Sequence, residues 1–135
     1  MIIAVDFDGT IVEHKYPKIG KEKPFAIDTL RKLASEGHKL ILWTAREGDL
    51  LEDAVRFCKE RGLTFYAINC ETPLGGLAFQ SKATTTKLIA DVYIDDRNVG
   101  GLPDWGRIYD MVNGIRGKHK HHSSKRFSLK KLFKH

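Results

Sequence analysis

Ile2-Ile3-Ala4-Val5-Asp6-Phe7-Asp8-Gly9-Thr10 is the stretch on which the fold turns. Five of its first seven residues are aliphatic or aromatic, three are β-branched, and no polar residue alternates before Asp6. That is how a strand buried on both faces reads. Asp6 and Asp8 stand two apart at its carboxyl end, so an extended chain points both carboxylates to one side. Gly9 then allows a sharp turn. Ligands of open α/β sheets bind beyond the carboxyl ends of the strands, which makes the acidic pair a candidate site. A calcium loop of the EF-hand type starting at Asp6 would need Gly at its sixth position and Glu at its twelfth, where this chain has Ile11 and Pro17. A plain turn accounts for Asp8-Gly9 but not for an apolar strand running into Asp6.

Outward from this strand, residues 13–24 lack periodicity and read as a loop leaving the acids, placed to flap over them. Pro24 suits a first helical position, and Phe25, Ile27, Leu30, Leu33 and Ala34 mark one helical face before Gly37. Residues 39–44 form an expected second strand. From Asp49 a second helix shows Leu50, Leu51, Ala54, Val55 and Cys58 at helical spacing, with Gly62 as its stop. Residues 63–69 read as a third strand, and residues 70–86, with Gly75-Gly76, as connection. Residues 91–95 read as a fourth strand ending in acids. A last helix over 103–112 turns Trp105, Ile108, Tyr109 and Val112 inward, after the turn at Gly100-Gly101. This order predicts an α/β fold, a Rossmann-like open parallel sheet with helices on both faces.

A chain of 135 residues, 41% of them hydrophobic, suits a single core. The net charge of +6 is unevenly placed. All 17 acids and 15 of the 23 Lys and Arg lie in residues 1–110, a net of −2, whereas residues 111–135 hold the other eight basic residues and no acid. The expected division is a core over residues 1–113 and a basic tail over 114–135. The tail reads as a solvated extension, or as a short amphipathic helix from Ser124 that binds nucleic acid or an anionic membrane surface. With a buried strand beginning at residue 2 there is no room for a secretory leader, and apolar runs such as Leu40-Ile41-Leu42-Trp43 fall far short of the ~20 residues of a membrane helix. Cys58 and Cys70 are too few and too far apart for a CxxC pair or a zinc site, so they are expected to be reduced core thiols in a cytoplasmic protein.

A parallel sheet brings strand ends together, and here those ends carry Asp6 and Asp8, Thr44 with Arg46, and Asp95 with Asp96, with Lys87 shortly before the last strand. Asp6 and Asp95 could share a divalent cation through oxygen, the chemistry expected of Mg²⁺. Thr44, backbone amides and a Lys ammonium could hold phosphate oxygens. His14 and His38 are expected at the surface rather than as ligands of such a hard ion.

In these motifs the chain resembles the haloacid dehalogenase superfamily of phosphohydrolases. The family's four motifs match Asp6-Phe7-Asp8-Gly9-Thr10, Thr44 at its strand end, an upstream Lys, and Tyr93-Ile94-Asp95-Asp96-Arg97, in the family's order and over residues 1–110. The resemblance implies that Asp6 is the nucleophile forming an aspartyl-phosphate and that Asp8 is the general acid for the leaving group, then the base for water. It implies a Mg²⁺ cofactor ligated by Asp6, the Asp8 carbonyl and Asp95, with Asp96 acting through water or as a support. Lys87 and Lys82 compete as the phosphate-binding lysine, and Lys87 is preferred because it directly precedes the fourth strand. Thr44 and Arg46 complete the substrate site.

Family members usually carry a cap domain after the first motif or between the second and third. Residues 11–24 and 47–86 leave no room for one. An open site is compatible with a large phosphorylated substrate, such as a nucleic-acid end or a phosphoprotein, or with a second subunit covering it. Superfamily nucleotidases and polynucleotide end-phosphatases use a similar Ile-Asp-Asp-Arg motif, which points to a nucleotide or nucleic-acid substrate. Transfer of the phosphoryl group to an acceptor other than water stays open. So does a non-enzymatic phospho-acceptor resembling a response-regulator receiver, although a receiver's accepting Asp ends the third strand, where this chain has Asn69-Cys70.

Overall fold

The computed structural model describes residues 1–70 and 89–115. The chain divides into two units, Met1–Leu102 and Pro103–His135. The first contains β1 (Ile2–Val5), α1 (Ala26–Ser35), β2 (Lys39–Leu42), α2 (Gly48–Glu60), β3 (Ala67–Ile68) and β4 (Val92–Ile94). Its strands form one parallel sheet in the order β3-β2-β1-β4. This is the Rossmann-like α/β class expected, a small parallel sheet flanked by helices, and no separate cap domain stands among the described residues.

β1 occupies the centre because its sequence tolerates burial on both faces: Ile3, Ala4 and Val5 are all 0% exposed. Ala4 packs with Ile41 of β2 and Ala67 of β3, and the half-buried Trp43 and Tyr93 cover that cluster. α1 buries Ala26, Ile27, Leu30 and Leu33, and α2 buries Leu51, Ala54 and Cys58, each set at helical spacing. Both cysteines are free. Burial pushes the Cys58 thiol up to about 12, so it stays protonated in the core.

Several expectations are corrected. Pro24 does not begin α1. Instead Phe25 stands at the cap with φ 65°, a left-handed turn that leaves its ring 71% exposed. The Glu22 carboxylate accepts the Ile27 N–H at 3.0 Å, so the first turn of α1 gets an acceptor from the preceding loop. The third strand is only two residues long, Ala67–Ile68, and Leu63, where it was expected to begin, instead donates its N–H to the Cys58 carbonyl at the end of α2. His38 is buried, its Nδ1 lying 3.1 Å from the Met1 nitrogen.

In the second unit residues 105–115 are helical. Asp104 caps this helix, its Oδ1 accepting the Arg107 N–H at 3.0 Å, so the helix starts later than Pro103. Trp105, Ile108 and Val112 are its buried stripe, with Tyr109 half-buried. No helix among the described residues is long and apolar enough to cross a membrane.

Candidate active site

From β1 the chain steps to β2 and then to β3 on one side of the sheet, and β4 lies on the other side of β1. The gap between β1 and β4 is therefore a topological switch point, where a crevice opens at the strands' carboxyl ends. The ladder continues one residue past β1 and past β2, as Asp6 donates its N–H to the Ile94 carbonyl of β4 (3.0 Å) and Trp43 donates to the Val5 carbonyl of β1 (2.8 Å). Asp6 is thereby fixed at the mouth of the switch point. Phe7 turns into the core, edge-on to Phe57, which sends Asp6 and Asp8 the other way.

The turn after Asp8 is tightly hydrogen-bonded. The Phe7 carbonyl accepts from Thr10, Ile11 and Val12, and Gly9 donates to the Val12 carbonyl at 2.8 Å. Gly9 has φ 84°, and a Cβ there would meet the Asp96 carboxylate. Thr10 ties the two acidic segments together, its hydroxyl accepting the Asp96 N–H at 3.1 Å.

Asp6, Asp95 and Asp96 each offer a carboxylate oxygen within 4.8 Å of the others. Burial, then the negative charge of Asp95, with smaller contributions from Asp96 and Asp8, push the Asp6 carboxyl from 3.8 up to about 7. A set of hard oxygen donors crowded enough to resist ionisation suits a divalent cation, which would relieve the repulsion. The three acids could hold such a cation together, and Asp96 belongs to the same cluster as Asp95.

Asp8 is engaged differently. Its Oδ2 accepts from Arg46 Nε at 2.7 Å and its Oδ1 from Arg46 Nη2 at 2.8 Å. Arg46 is only 1% exposed, and the rest of its guanidinium donates to the carbonyls of Pro17 (3.3 Å), Leu50 (3.3 Å) and Lys18 (3.0 Å). All five of its N–H groups thus have acceptors in the protein.

Thr44 is buried at the end of β2, its hydroxyl accepting the Arg46 N–H at 3.1 Å and its own N–H donating to Asn69 Oδ1 at 2.9 Å. Sequence reasoning missed Asn69 and Thr10 as organisers of the site. The available signal for Asn69 was a polar residue closing an apolar strand. Its φ of 55° is a backbone conformation that Asn tolerates better than most residues. Asn69→Ala is expected to leave the buried Thr44 N–H without this acceptor and to cost about 1–3 kcal/mol, measurable as a lower denaturant midpoint at unchanged slope.

These groups open on a cavity of about 420 Å³, whose wall includes Asp6, Asp8, Thr44 and Asp95 and, beside them, His14, Tyr16, Trp43 and Arg97. His14 is exposed, as expected, yet it lies on this wall. Lys82, Lys87 and the basic tail lie outside the described residues.

Comparison with known proteins agrees with this geometry. No curated protein matches the chain. It is similar to the solved structure of a conserved protein from Bacteroides thetaiotaomicron, with 56% identity and a TM-score of 0.75 over 85% of this chain and 91% of that one. A family profile described as haloacid dehalogenase-like hydrolase matches residues 3–110, the span that contains every described residue of the acidic site. The chain belongs to the haloacid dehalogenase-like hydrolases, a family of phosphatase-type enzymes.

Proposed function

We propose that this hydrolase cleaves phosphate monoesters through a phosphoryl group carried on Asp6, with Mg²⁺ as its cofactor. The observation that carries this reading is the cluster of Asp6, Asp95 and Asp96 at the switch point, with Asp8 two residues along the same turn. An ionised Asp6 oxygen attacks phosphorus as the ester P–O bond breaks, and Asp8 gives its proton to the departing alkoxide. Asp8 then takes a proton from water, whose oxygen attacks phosphorus and releases inorganic phosphate and free Asp6. Asp6, Asp95, Asp96 and the Asp8 carbonyl would hold Mg²⁺, which would offset the repulsion between carboxylate and phosphate dianion. The Thr44 region and Lys87 hold the phosphate oxygens.

For substrate we propose a nucleotide or a nucleic-acid end. The support is the cavity wall, where Tyr16, Trp43 and Arg97 join the acids and suit a planar base and, on a nucleic-acid end, the neighbouring phosphate. Both cysteines being free, the cytoplasm is the location this reading carries. A screen of nucleotides, 3′- and 5′-phosphorylated oligonucleotides, sugar phosphates and phosphopeptides with Mg²⁺ tests the assignment, and chelator should abolish turnover of all of them. Trp43→Ala should lower kcat/KM about tenfold more for nucleotides than for sugar phosphates, at the low end of what a stacked base contributes, any loss common to both coming from the packing of Trp43 over Ala4, Ile41 and Ala67. Equal losses on both would remove Trp43 from recognition.

A further inference from the structure

We propose that Arg46 is the positioning residue for Asp8, and not a ligand for substrate phosphate. This rests on the proposed role of Asp8 at the leaving group. A buried guanidinium is tolerated only when its donors are satisfied, and turning one toward a phosphate would break a bond already made inside the protein. Here Asp8 takes two of the five N–H groups and the carbonyls of Pro17, Lys18 and Leu50 take the other three. The Phe7 and Tyr16 rings lie against the same guanidinium, with centroids 5.3 and 5.1 Å away.

The two-pronged contact fixes the plane of the Asp8 carboxyl and uses one lone pair on each oxygen, leaving the other lone pairs for proton exchange. Pro17 and Lys18 belong to the loop that brings Tyr16 and His14 to the cavity wall. Arg46 therefore sets the position of that wall as well as the position of the acid. Lysine cannot replace it, because an ammonium lacks the planar fork.

The test compares full-length wild type with Arg46→Lys and Arg46→Gln on an aryl phosphate and an alkyl phosphate, with Mg²⁺. A misplaced proton donor hurts the poorer leaving group more, so kcat should fall about 100-fold or more for the alkyl ester and less for the aryl ester. KM and the inhibition constant of inorganic phosphate should stay within about threefold, since ground-state phosphate binding is untouched. A tenfold or larger rise in the phosphate inhibition constant, or equal kcat losses on both esters, overturns the proposal.

Should neither variant fold, the wild type still decides through ¹⁵N NMR of arginine Nε–H groups. The Arg46 signal should exchange slowly with water, stay in place when inorganic phosphate and Mg²⁺ are added, and be lost in Asp8→Asn. A shift on adding phosphate overturns the proposal. This signal is read without any turnover, so it is independent of whether phosphate esters are the substrates.

Discussion

Asp6→Asn should lower phosphatase turnover by about 10³-fold or more, the scale of losing a covalent nucleophile, and should at the same time stabilise the metal-free protein above pH 7. The second effect follows from the raised pKa. The Asp6 carboxyl loses its proton near 3.8 in the unfolded chain but at about 7 in the folded one. Between those values the folded state binds more protons than the unfolded state, so stability falls as pH rises and the loss is complete above about 7. Asn carries no charge and removes that fall. Thermal melts in chelator across pH 4 to 8 should show the wild type losing stability relative to Asp6→Asn, and Mg²⁺ at pH 8 should restore the wild type far more than the variant. A variant less stable than wild type at pH 8 in chelator would mean that Asp6 is not a crowded, uncompensated carboxylate.

Gly9→Ala is the other large effect, and it replaces no acid. A left-handed conformation costs a side-chain-bearing residue about 1–2 kcal/mol, and Gly9 has φ 84°. The added Cβ would also lie 2.8 Å from Asp96 Cγ and closer still to its oxygen. The Asp96 backbone is held by its N–H bond to the Thr10 hydroxyl, so relief of the clash has to come from swinging the Asp96 carboxylate away from Asp6 and Asp95. The expected result is a loss of about 100-fold or more in kcat/KM from a displaced group in the site, with weaker Mg²⁺ binding by calorimetry. Gly9→Ala with wild-type Mg²⁺ affinity would show that Asp96 takes no part in holding the ion.

How far the sequence carried can be judged residue by residue. β1 and its acids were legible because a doubly buried strand has an unambiguous composition, and Asp6 and Asp8 break it where a crevice must open. β2 and β4 were legible from their apolar runs, although β2 stops at Leu42 and β4 at Ile94, short of the expected 44 and 95. The entry to α1 was not, because Phe25 carries no mark of a left-handed turn, and Glu22 reaches Ile27 only once the loop is folded. His38 looked like a surface residue because burial of a polar ring depends on a partner distant in sequence. The partners of Arg46 were the least readable feature: three are backbone carbonyls, which every residue possesses and no sequence pattern singles out. A basic residue beside strand-end acids reads as a ligand for an anion, and only the geometry shows acceptors within the protein around all of its N–H groups.

The central claim, that Asp6 carries the phosphoryl group, is tested most directly by the stereochemical course at phosphorus. A phosphate monoester made chiral with oxygen isotopes is hydrolysed with Mg²⁺, and the configuration of the product phosphate is read. Two successive in-line displacements, on Asp6 and then on water, predict retention. Inversion would mean that water attacks the substrate directly and would contradict the account.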